Sequence, residues 1–170
     1  RKKPINLDFI KKVEPITPNQ EIFFDKFKEE QNLVAYGCAG TGKTFITLYN
    51  ALMDVLDPKT PYEKIYIVRS LVPTMLYNNL KAQGTISFWS TSFIRGTTLD
   101  NVIVIVDEFQ NLNFHELDSM ITRIGENSKI MFCGDATQSD LTKQNERNGI
   151  ADFMRILTNM PSFDTIEFNA

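Results

Sequence analysis

The sequence predicts an α/β fold in which helices cover both faces of a parallel β-sheet. Along the 170 residues, short apolar segments alternate with longer amphipathic ones. A continuous Val/Ile run within 101–106 is typical of a central strand that is buried on both faces. A glycine-rich octet, residues 37–44, separates a predicted strand from a predicted helix. In such a sheet, ligands are expected at the carboxyl ends of the strands.

Each predicted element has its own local signal. Thr17-Pro18 resembles a helix N-cap followed by proline in the first turn, which predicts a helix over about 18–31. Asn113 and Glu116 resemble a capping box, and the helix they begin is expected to end near Gly125. The other predicted elements are strand 33–37, helix 43–56, strands 64–68, 85–90, 101–106 and 129–133, helix 149–159 and strand 165–168.

Length and composition limit the class of protein. A chain of 170 residues is expected to form one domain, 1–170, around a single core. Cys38 and Cys133 belong to no Cys/His cluster, which argues against zinc and disulfides and predicts a reducing, cytoplasmic location. The apolar runs are too short to cross a bilayer, so we expect no membrane association. A net charge of −3 does not indicate nucleic-acid binding, although a local basic groove would suffice for it.

The octet Gly37-Cys38-Ala39-Gly40-Thr41-Gly42-Lys43-Thr44 fits the pattern G-x-x-x-x-G-K-[ST] of a phosphate-binding loop, here called the P-loop. Backbone N–H groups of such a loop surround a triphosphate, and its glycines permit close approach and positive φ. Lys43 is expected to reach the β- and γ-phosphates of ATP, and the Thr44 hydroxyl to bind Mg²⁺. The helix that follows is expected to point its N-terminus at the phosphates. Its predicted apolar face comprises Phe45, Ile46, Leu48, Leu52, Val55 and Leu56.

Two acids, Asp107 and Glu108, come directly after the Val/Ile run. Asp107 is predicted to hold Mg²⁺, usually through water, and Glu108 to accept a proton from the attacking water. The predicted strand 64–68 lies in the chain between the P-loop and these acids. The strand before the P-loop and the strand before the acids therefore need not be neighbours in the sheet. That arrangement is typical of the RecA-like and helicase-like branch of P-loop NTPases. We therefore predict Lys43, Asp107 and Glu108 as catalytic residues, and Thr44 and Asp107 as metal ligands.

Two glutamines are candidate ligands for opposite ends of the nucleotide. Gln138 follows Gly134-Asp135, and its amide could bind the γ-phosphate and lose that bond on hydrolysis. Ordinary turn chemistry explains Gly134-Asp135 equally well. The Gln20 amide offers one donor and one acceptor to an adenine edge, although a polar residue in a first helical turn is common. We predict Gln138 as a catalytic residue and Gln20 as an ATP-binding residue.

Several motifs together resemble a known family. Glu108-Phe109-Gln110-Asn111, Gly-Asp-Ala-Thr-Gln and the Gln20 motif resemble the ATPase core of superfamily 1 helicases. The chain from about Thr17 onwards is more closely similar to the PhoH family of P-loop ATPases, and to bacteriophage members in particular. The motifs are Phe93-Ile94-Arg95-Gly96-Thr97-Thr98-Leu99, Asp107-Glu108-Phe109-Gln110-Asn111, Thr122-Arg123-Ile124-Gly125 and Gly134-Asp135-Ala136-Thr137-Gln138.

This resemblance implies ATP binding and hydrolysis, with RNA or single-stranded nucleic acid as the partner. It also implies a homo-oligomer, for which a hexameric ring is one form, and the host cytoplasm as the location if a phage encodes the chain. The sequence departs from the family pattern in two places. Residues 70–83 are shorter than the usual insertion, and the sequence ends at Ala170, before the arginine-bearing segment that family members carry.

A catalytic arginine is therefore expected from elsewhere. Superfamily 1 helicases place ATP between two domains, whereas this sequence has room for one. Either a neighbour in a head-to-tail oligomer or a tail absent from this sequence would have to complete the site, and we favour the oligomer. Arg95 is the first candidate for that residue and Arg123 the second. Arg69, at the end of a predicted strand, could meet phosphate or nucleic acid. For each arginine, an exposed charge of little energetic consequence is the alternative.

Three functions fit these observations. An ATPase that acts on RNA or single-stranded nucleic acid, as a helicase-like motor or switch, is favoured. A regulatory ATPase that binds a protein partner is not distinguished from it by sequence. A small-molecule phosphotransferase would need an acceptor pocket and a lid, and no arginine-rich lid is visible. Glu108 also suits water better than an acceptor hydroxyl.

Overall fold

The computed structural model describes residues 7–29, 32–69, 84–89, 96–137 and 144–169, and it confirms the predicted α/β class. The strands are β1 (Asn32–Gly37), β2 (Lys64–Val68), β3 (Ile86–Trp89), β4 (Val102–Asp107), β5 (Lys129–Gly134) and β6 (Phe163–Phe168). They form one sheet in the order β3-β2-β4-β5-β1-β6, and every neighbouring pair is parallel. The helices are α1 (Pro18–Lys28), α2 (Lys43–Leu56), α3 (Phe114–Ile121) and α4 (Gln144–Asn159).

Helices cover both faces of the sheet, as predicted. On one face α1 and α2 bury Phe23, Phe27 and Ile46 against the strands. On the other face α3 and α4 bury Leu117 and Phe153. Each fully buried side chain of this size contributes about 1.5–3 kcal/mol, so the two apolar layers hold the strand ends in fixed positions. Within the described part of the chain, every helix is too short or too polar to span a bilayer.

The order of the strands confirms that the strand before the P-loop and the strand before the two acids are not neighbours. β5 lies between β1 and β4, whereas strand 64–68, which is β2, lies on the far side of β4. The carboxyl ends of β1, β5 and β4 are therefore adjacent at one edge of the sheet, here called the carboxyl edge. Three short segments that are remote in sequence meet there.

Several element ends differ from the predicted ones. α4 begins at Gln144 rather than 149. Gly149 lies inside this helix, and a Cβ atom there would approach the Phe114 Cβ to 3.3 Å. Close packing of α3 on α4 explains that glycine better than a helix boundary does. α3 ends at Ile121 rather than near Gly125, since the chain turns there and pairs Ile124 with Leu99. β6 begins at Phe163 rather than 165, and the other predicted elements agree to within three residues.

The edge formed by the amino ends of the strands is here called the amino edge. A buried cation lies there that the sequence did not indicate. Lys129 begins β5 and is 1% exposed. Its Nζ atom donates to the Phe27 backbone oxygen at 3.1 Å and to Asp54 Oδ2 at 3.1 Å. The same atom lies 3.7 Å from the centre of the Phe27 ring. Lys129 thus joins β5 to both α1 and α2.

Candidate functional site

The P-loop connects β1 to α2 and has the backbone that its glycines predict. Gly37, Gly40 and Gly42 have φ of 122°, 76° and 81°, which other residues rarely adopt. At Gly37 a Cβ atom would overlap the backbone oxygen of Phe168, because β6 passes directly beside the loop. At Gly40 no atom lies within 4 Å of such a Cβ, so this glycine is required by backbone conformation rather than by packing.

Lys43 is 8% exposed and folds back over its own loop. Its Nζ atom donates to the backbone oxygens of Gly37, at 3.1 Å, and Cys38, and to Thr41 Oγ1 at 3.2 Å. These partners are neutral. Among the described residues, no carboxylate lies within the 4.0 Å of an ion pair from this ammonium group. Lys43 is therefore a buried cation whose hydrogen-bond partners are all neutral.

Thr44 and Asp107 meet between the P-loop and β4. The Thr44 hydroxyl donates to Asp107 Oδ1 at 2.7 Å. Burial raises the pKa of Asp107 above its ordinary value, while the Thr44 hydrogen bond and the positive charge of Arg69 act in the opposite direction. Two hard oxygen ligands at one point, with room for phosphate and water oxygens beside them, suit Mg²⁺. The residue types and their proximity thus fit the predicted metal site.

Glu108 has a left-handed backbone, with φ 52° and ψ 45°, at the turn that follows β4. Such values are uncommon for residues other than glycine, asparagine and aspartate, and they direct the chain sharply out of the strand. The side chain is 40% exposed and pairs with Arg69, whose Nη2 lies 2.7 Å from Glu108 Oε1. The sequence indicated phosphate or nucleic acid as a contact for Arg69, not this acid.

The third segment is Gly134-Asp135, at the end of β5. Gln110 Oε1 accepts a hydrogen bond from the Asp135 backbone N–H at 3.2 Å, and it occupies the space that a Cβ atom on residue 134 would need. A side chain at residue 134 would therefore displace Gln110 and crowd the Phe109 ring. The Thr137 hydroxyl donates to Asp135 at 2.6 Å and holds the pKa of that carboxyl below its ordinary value. Gln110, which follows Glu108 and Phe109, thus links the acid turn to the end of β5.

Gln20 lies beside the P-loop, as its predicted role requires. It is 6% exposed, and its Nε2 atom donates to the Thr41 backbone oxygen at 3.2 Å. Its Oε1 atom accepts from the Ile16 backbone N–H at 3.0 Å. The amide retains a second N–H and a second lone pair. Gln20 can therefore support the loop and still contact a base.

One open cavity of about 400 Å³ is lined by the P-loop, the acid turn and the end of β5, whereas Gln20 lies behind the loop and does not line it. The P-loop forms one wall, Asp107 and Glu108 form a second, and Gly134-Asp135 closes the third. Phe45 also lines it and is 61% exposed, so its assignment to the apolar face of α2 was wrong. Residue 45 lies in the first turn of α2, on the side of the helix opposite the buried residues Lys43 and Thr47.

The predicted catalytic residues Arg95 and Gln138 lie outside the described residues. Arg123, the second candidate for a residue donated between subunits, lies between α3 and the start of β5. Its backbone oxygen accepts from Leu99 N at 2.8 Å, just before β4 begins. The backbone of Arg123 is thus at the amino edge, remote from the cavity of its own chain.

Comparisons with known proteins agree with this arrangement. The family model described as "PhoH-like protein" matches residues 12–75 and 67–170. A PhoH-like protein of Mycobacterium leprae is 27% identical over 164 residues, which cover 77% of this chain and 46% of that protein. Protein PhoH2 of Bacillus subtilis is 29% identical over 140 residues, which cover 61% and 31%. The chain spans about half or less of the length of these curated relatives.

Solved structures share the fold at low sequence identity. The large terminase of a thermophilic bacteriophage has a TM-score of 0.63 at 12% identity, over 91% of this chain and 46% of that one. A structure of Pif1 helicases, described for DNA unwinding at forked double-stranded DNA, has a TM-score of 0.55 at 15% identity, over 93% and 44%. The fold is that of a helicase-like P-loop NTPase. Since the family model matches most of its length, the chain belongs to the PhoH-like protein family.

Proposed function

We propose that this protein is an Mg²⁺-dependent ATPase that acts on RNA or single-stranded nucleic acid, as a motor or a switch. The observation that carries the proposal is the convergence of Lys43, the Thr44–Asp107 pair and Glu108 on one cavity. A buried ammonium group with neutral partners favours an anionic ligand. Backbone N–H groups of the P-loop and the N-terminus of α2 favour the same charge.

In the proposed reaction, a water molecule attacks the γ-phosphorus of ATP and the bond to the β,γ-bridging oxygen breaks. Glu108 accepts a proton from that water, and ADP leaves with the bridging oxygen. Lys43 stabilises the charge on the β- and γ-phosphate oxygens. Thr44 and Asp107 would hold Mg²⁺, which neutralises charge on the same oxygens. Gln20 orients the adenine, so that the phosphates enter the P-loop in one register.

The test of the chemistry is Glu108→Gln, measured by steady-state hydrolysis and by ATP binding. Turnover should collapse, because the amide accepts no proton from water, while binding survives, because Lys43 and Thr44 are intact. Glu63→Gln is the matched control, since Glu63 is an exposed glutamate outside the cavity. Hydrolysis by Glu108→Gln at the wild-type rate would remove Glu108 from the reaction.

The nucleic-acid partner is supported by fold relatives, among them a Pif1 structure that is bound to single-stranded DNA. The same hydrolysis assay, run at low salt with single-stranded RNA, single-stranded DNA or neither, tests this part. Stimulation by a single strand would support the proposal. Hydrolysis without any nucleic-acid effect would favour a regulatory ATPase with a protein partner, and phosphate transfer to a metabolite would favour a phosphotransferase.

We further propose that residues 1–170 act as one ATPase domain and that subunits assemble head to tail, with a hexameric ring as the expected closed form. Arg95 of one subunit would then reach the site of its neighbour. Mixing Arg95→Ala subunits with Lys43→Ala subunits tests this, since a wild-type P-loop and a wild-type Arg95 would meet at some interfaces and restore activity. Sedimentation with Mg²⁺ and a non-hydrolysable ATP analogue should detect the assembly, and a strictly monomeric, fully active protein would refute it.

A further inference from the structure

Arg69, which directly follows β2, contacts both acids at the end of β4. Its Nη2 atom lies 2.7 Å from Glu108 Oε1, and its Nε atom lies 3.4 Å from Glu108 Oε2. The Nε atom is also 3.5 Å from Asp107 Oδ2. The guanidinium group therefore faces both oxygens of Glu108 in the fork geometry that makes arginine–carboxylate pairs strong. β2 and β4 are neighbours in the sheet, which holds the two chain segments together.

This pairing conflicts with the role proposed for Glu108. Both carboxylate oxygens of Glu108 are directed at the Arg69 guanidinium. The attacking water needs one of these oxygens as its proton acceptor. Under the proposed function, hydrolysis therefore requires that the pair separate.

The cavity supplies a reason for the pair to separate. Arg69 lines the same cavity as Lys43, Gly134 and Asp135. A triphosphate in the P-loop would bring γ-phosphate oxygens into this cavity, and their charge exceeds that of one carboxylate. Phosphate matches the fork of a guanidinium as well as a carboxylate does. The Arg69 side chain is 27% exposed, so part of it faces solvent.

We propose that Arg69 is a catalytic residue that exchanges partners. It pairs with Glu108 in the nucleotide-free protein, and it moves to the γ-phosphate when ATP binds, which releases Glu108 to the attacking water. The inference rests on the ATPase function proposed above. It gives the site a second cation from its own chain, in addition to any arginine that a neighbouring subunit contributes. It also predicts that ADP, which has no γ-phosphate, leaves the Arg69–Glu108 pair intact.

The first test compares the Kd values of ADP and a non-hydrolysable ATP analogue, with Mg²⁺, for wild type and Arg69→Ala. The variant should lose about tenfold or more of its preference for the analogue, while its ADP affinity stays within about twofold of wild type. Its kcat should fall by ~10³ or more, as for other arginines that contact the transferred phosphate. Arg155→Ala is the matched control, since Arg155 is exposed and pairs with Asp152 on α4, outside the cavity.

The second test is a double-mutant cycle of Arg69→Ala and Glu108→Gln, read by melting temperature. The two changes should be non-additive in the free protein and with ADP, because the residues are paired, and additive with the ATP analogue. A faster Arg69→Ala enzyme with unchanged nucleotide preference would overturn the proposal, since Arg69 would then only restrain Glu108. If wild type binds no triphosphate, the proposed function fails; if wild type hydrolyses ATP and Arg69→Ala does so equally well, only this inference fails.

Discussion

Lys43 and Lys129 are both buried, but they lie at opposite edges of the sheet and have different kinds of partner. At the amino edge, Lys129 has the Asp54 carboxylate at 3.1 Å and the Phe27 ring beneath its ammonium group. At the carboxyl edge, Lys43 contacts two backbone oxygens and the Thr41 hydroxyl. The charge of Lys129 is paired directly with a carboxylate of the fold, whereas the hydrogen-bond partners of Lys43 are all neutral.

The difference distinguishes a cation that holds the fold together from one that, under the proposed function, binds a phosphate. Removing an ammonium group from water costs several kcal/mol unless charge and hydrogen bonds replace the lost hydration. The Asp54 carboxylate and the Phe27 backbone oxygen offset this cost for Lys129, which joins α1, α2 and β5. Lys43 has no paired carboxylate among the described residues, so we expect that an anionic ligand would stabilise it further.

The largest expected effect is that of Lys43→Ala on hydrolysis. The γ-phosphate loses the closest cation of the P-loop, so kcat/KM should fall by at least ~10²–10³. The free energy of unfolding should change by less than about 1 kcal/mol, because the lost partners are neutral and lie beside an open cavity. Steady-state hydrolysis and urea denaturation measure the two quantities. Activity within a few-fold of wild type would remove Lys43 from the site.

The same substitution at the other lysine should give the reverse result. Lys129→Ala should lower the free energy of unfolding by about 3–5 kcal/mol, because Asp54 and the Phe27 backbone oxygen lose their buried partner. Lys129→Met, which keeps contact with the Phe27 and Tyr62 rings, should cost less and so separate charge from packing. Urea denaturation measures both variants. Nucleotide affinity of the folded Lys129→Met protein should match wild type, and a specific loss of ATP binding would contradict the division between the two edges.

The parts of the site that could be predicted from the sequence are those built from consecutive residues. The P-loop and the Asp107-Glu108 pair are local, and the Asn113 capping box was confirmed because Asn113 and Glu116 exchange hydrogen bonds within one turn. The Arg69–Glu108 and Lys129–Asp54 contacts join residues 39 and 75 positions apart. They depend on which strands become neighbours, and residue periodicity carries no information about that.

Phe45 shows the other limit of periodicity. Its spacing from Ile46 and Leu52 is that of a helical apolar face, so the sequence predicts that it is buried. The structure buries Ile46 and exposes Phe45, because the buried face of α2 is centred on Lys43, Thr47 and Asn50, and Phe45 lies on the other side. These three residues are polar, so the apolar pattern alone does not indicate which face of the helix is buried. Arg95 and Gln138 lie outside the described residues, and their roles stay predictions.

The two cysteines give a probe of the carboxyl edge that requires no substitution. Cys38 is exposed in the P-loop, whereas Cys133 is buried in β5, and burial raises the pKa of the Cys133 thiol to about 12. The thiolate is the reactive form, so a thiol reagent at pH 8 should modify Cys38 and leave Cys133 unreacted until the protein unfolds. ATP with Mg²⁺ should slow the modification of Cys38. Mass spectrometry of the labelled peptides distinguishes the two sites, and equal labelling with and without nucleotide would indicate that ligands do not contact the loop.

The smallest expected effect concerns the base rather than the phosphates. The second N–H and the second lone pair of the Gln20 amide match the donor and acceptor of an adenine edge, and a bidentate contact of this kind discriminates by about 1–3 kcal/mol. Gln20→Ala should therefore reduce the preference for ATP over GTP by about tenfold or more. Because Gln20 also donates to the Thr41 backbone oxygen, the affinities for ATP and GTP should both fall somewhat when this hydrogen bond is lost.

Asn19→Ala is the control, since it removes a neighbouring amide from the same helical turn. The Kd values of both nucleotides decide the outcome. An equal loss for ATP and GTP would leave Gln20 as a support of the P-loop and assign base recognition to another residue.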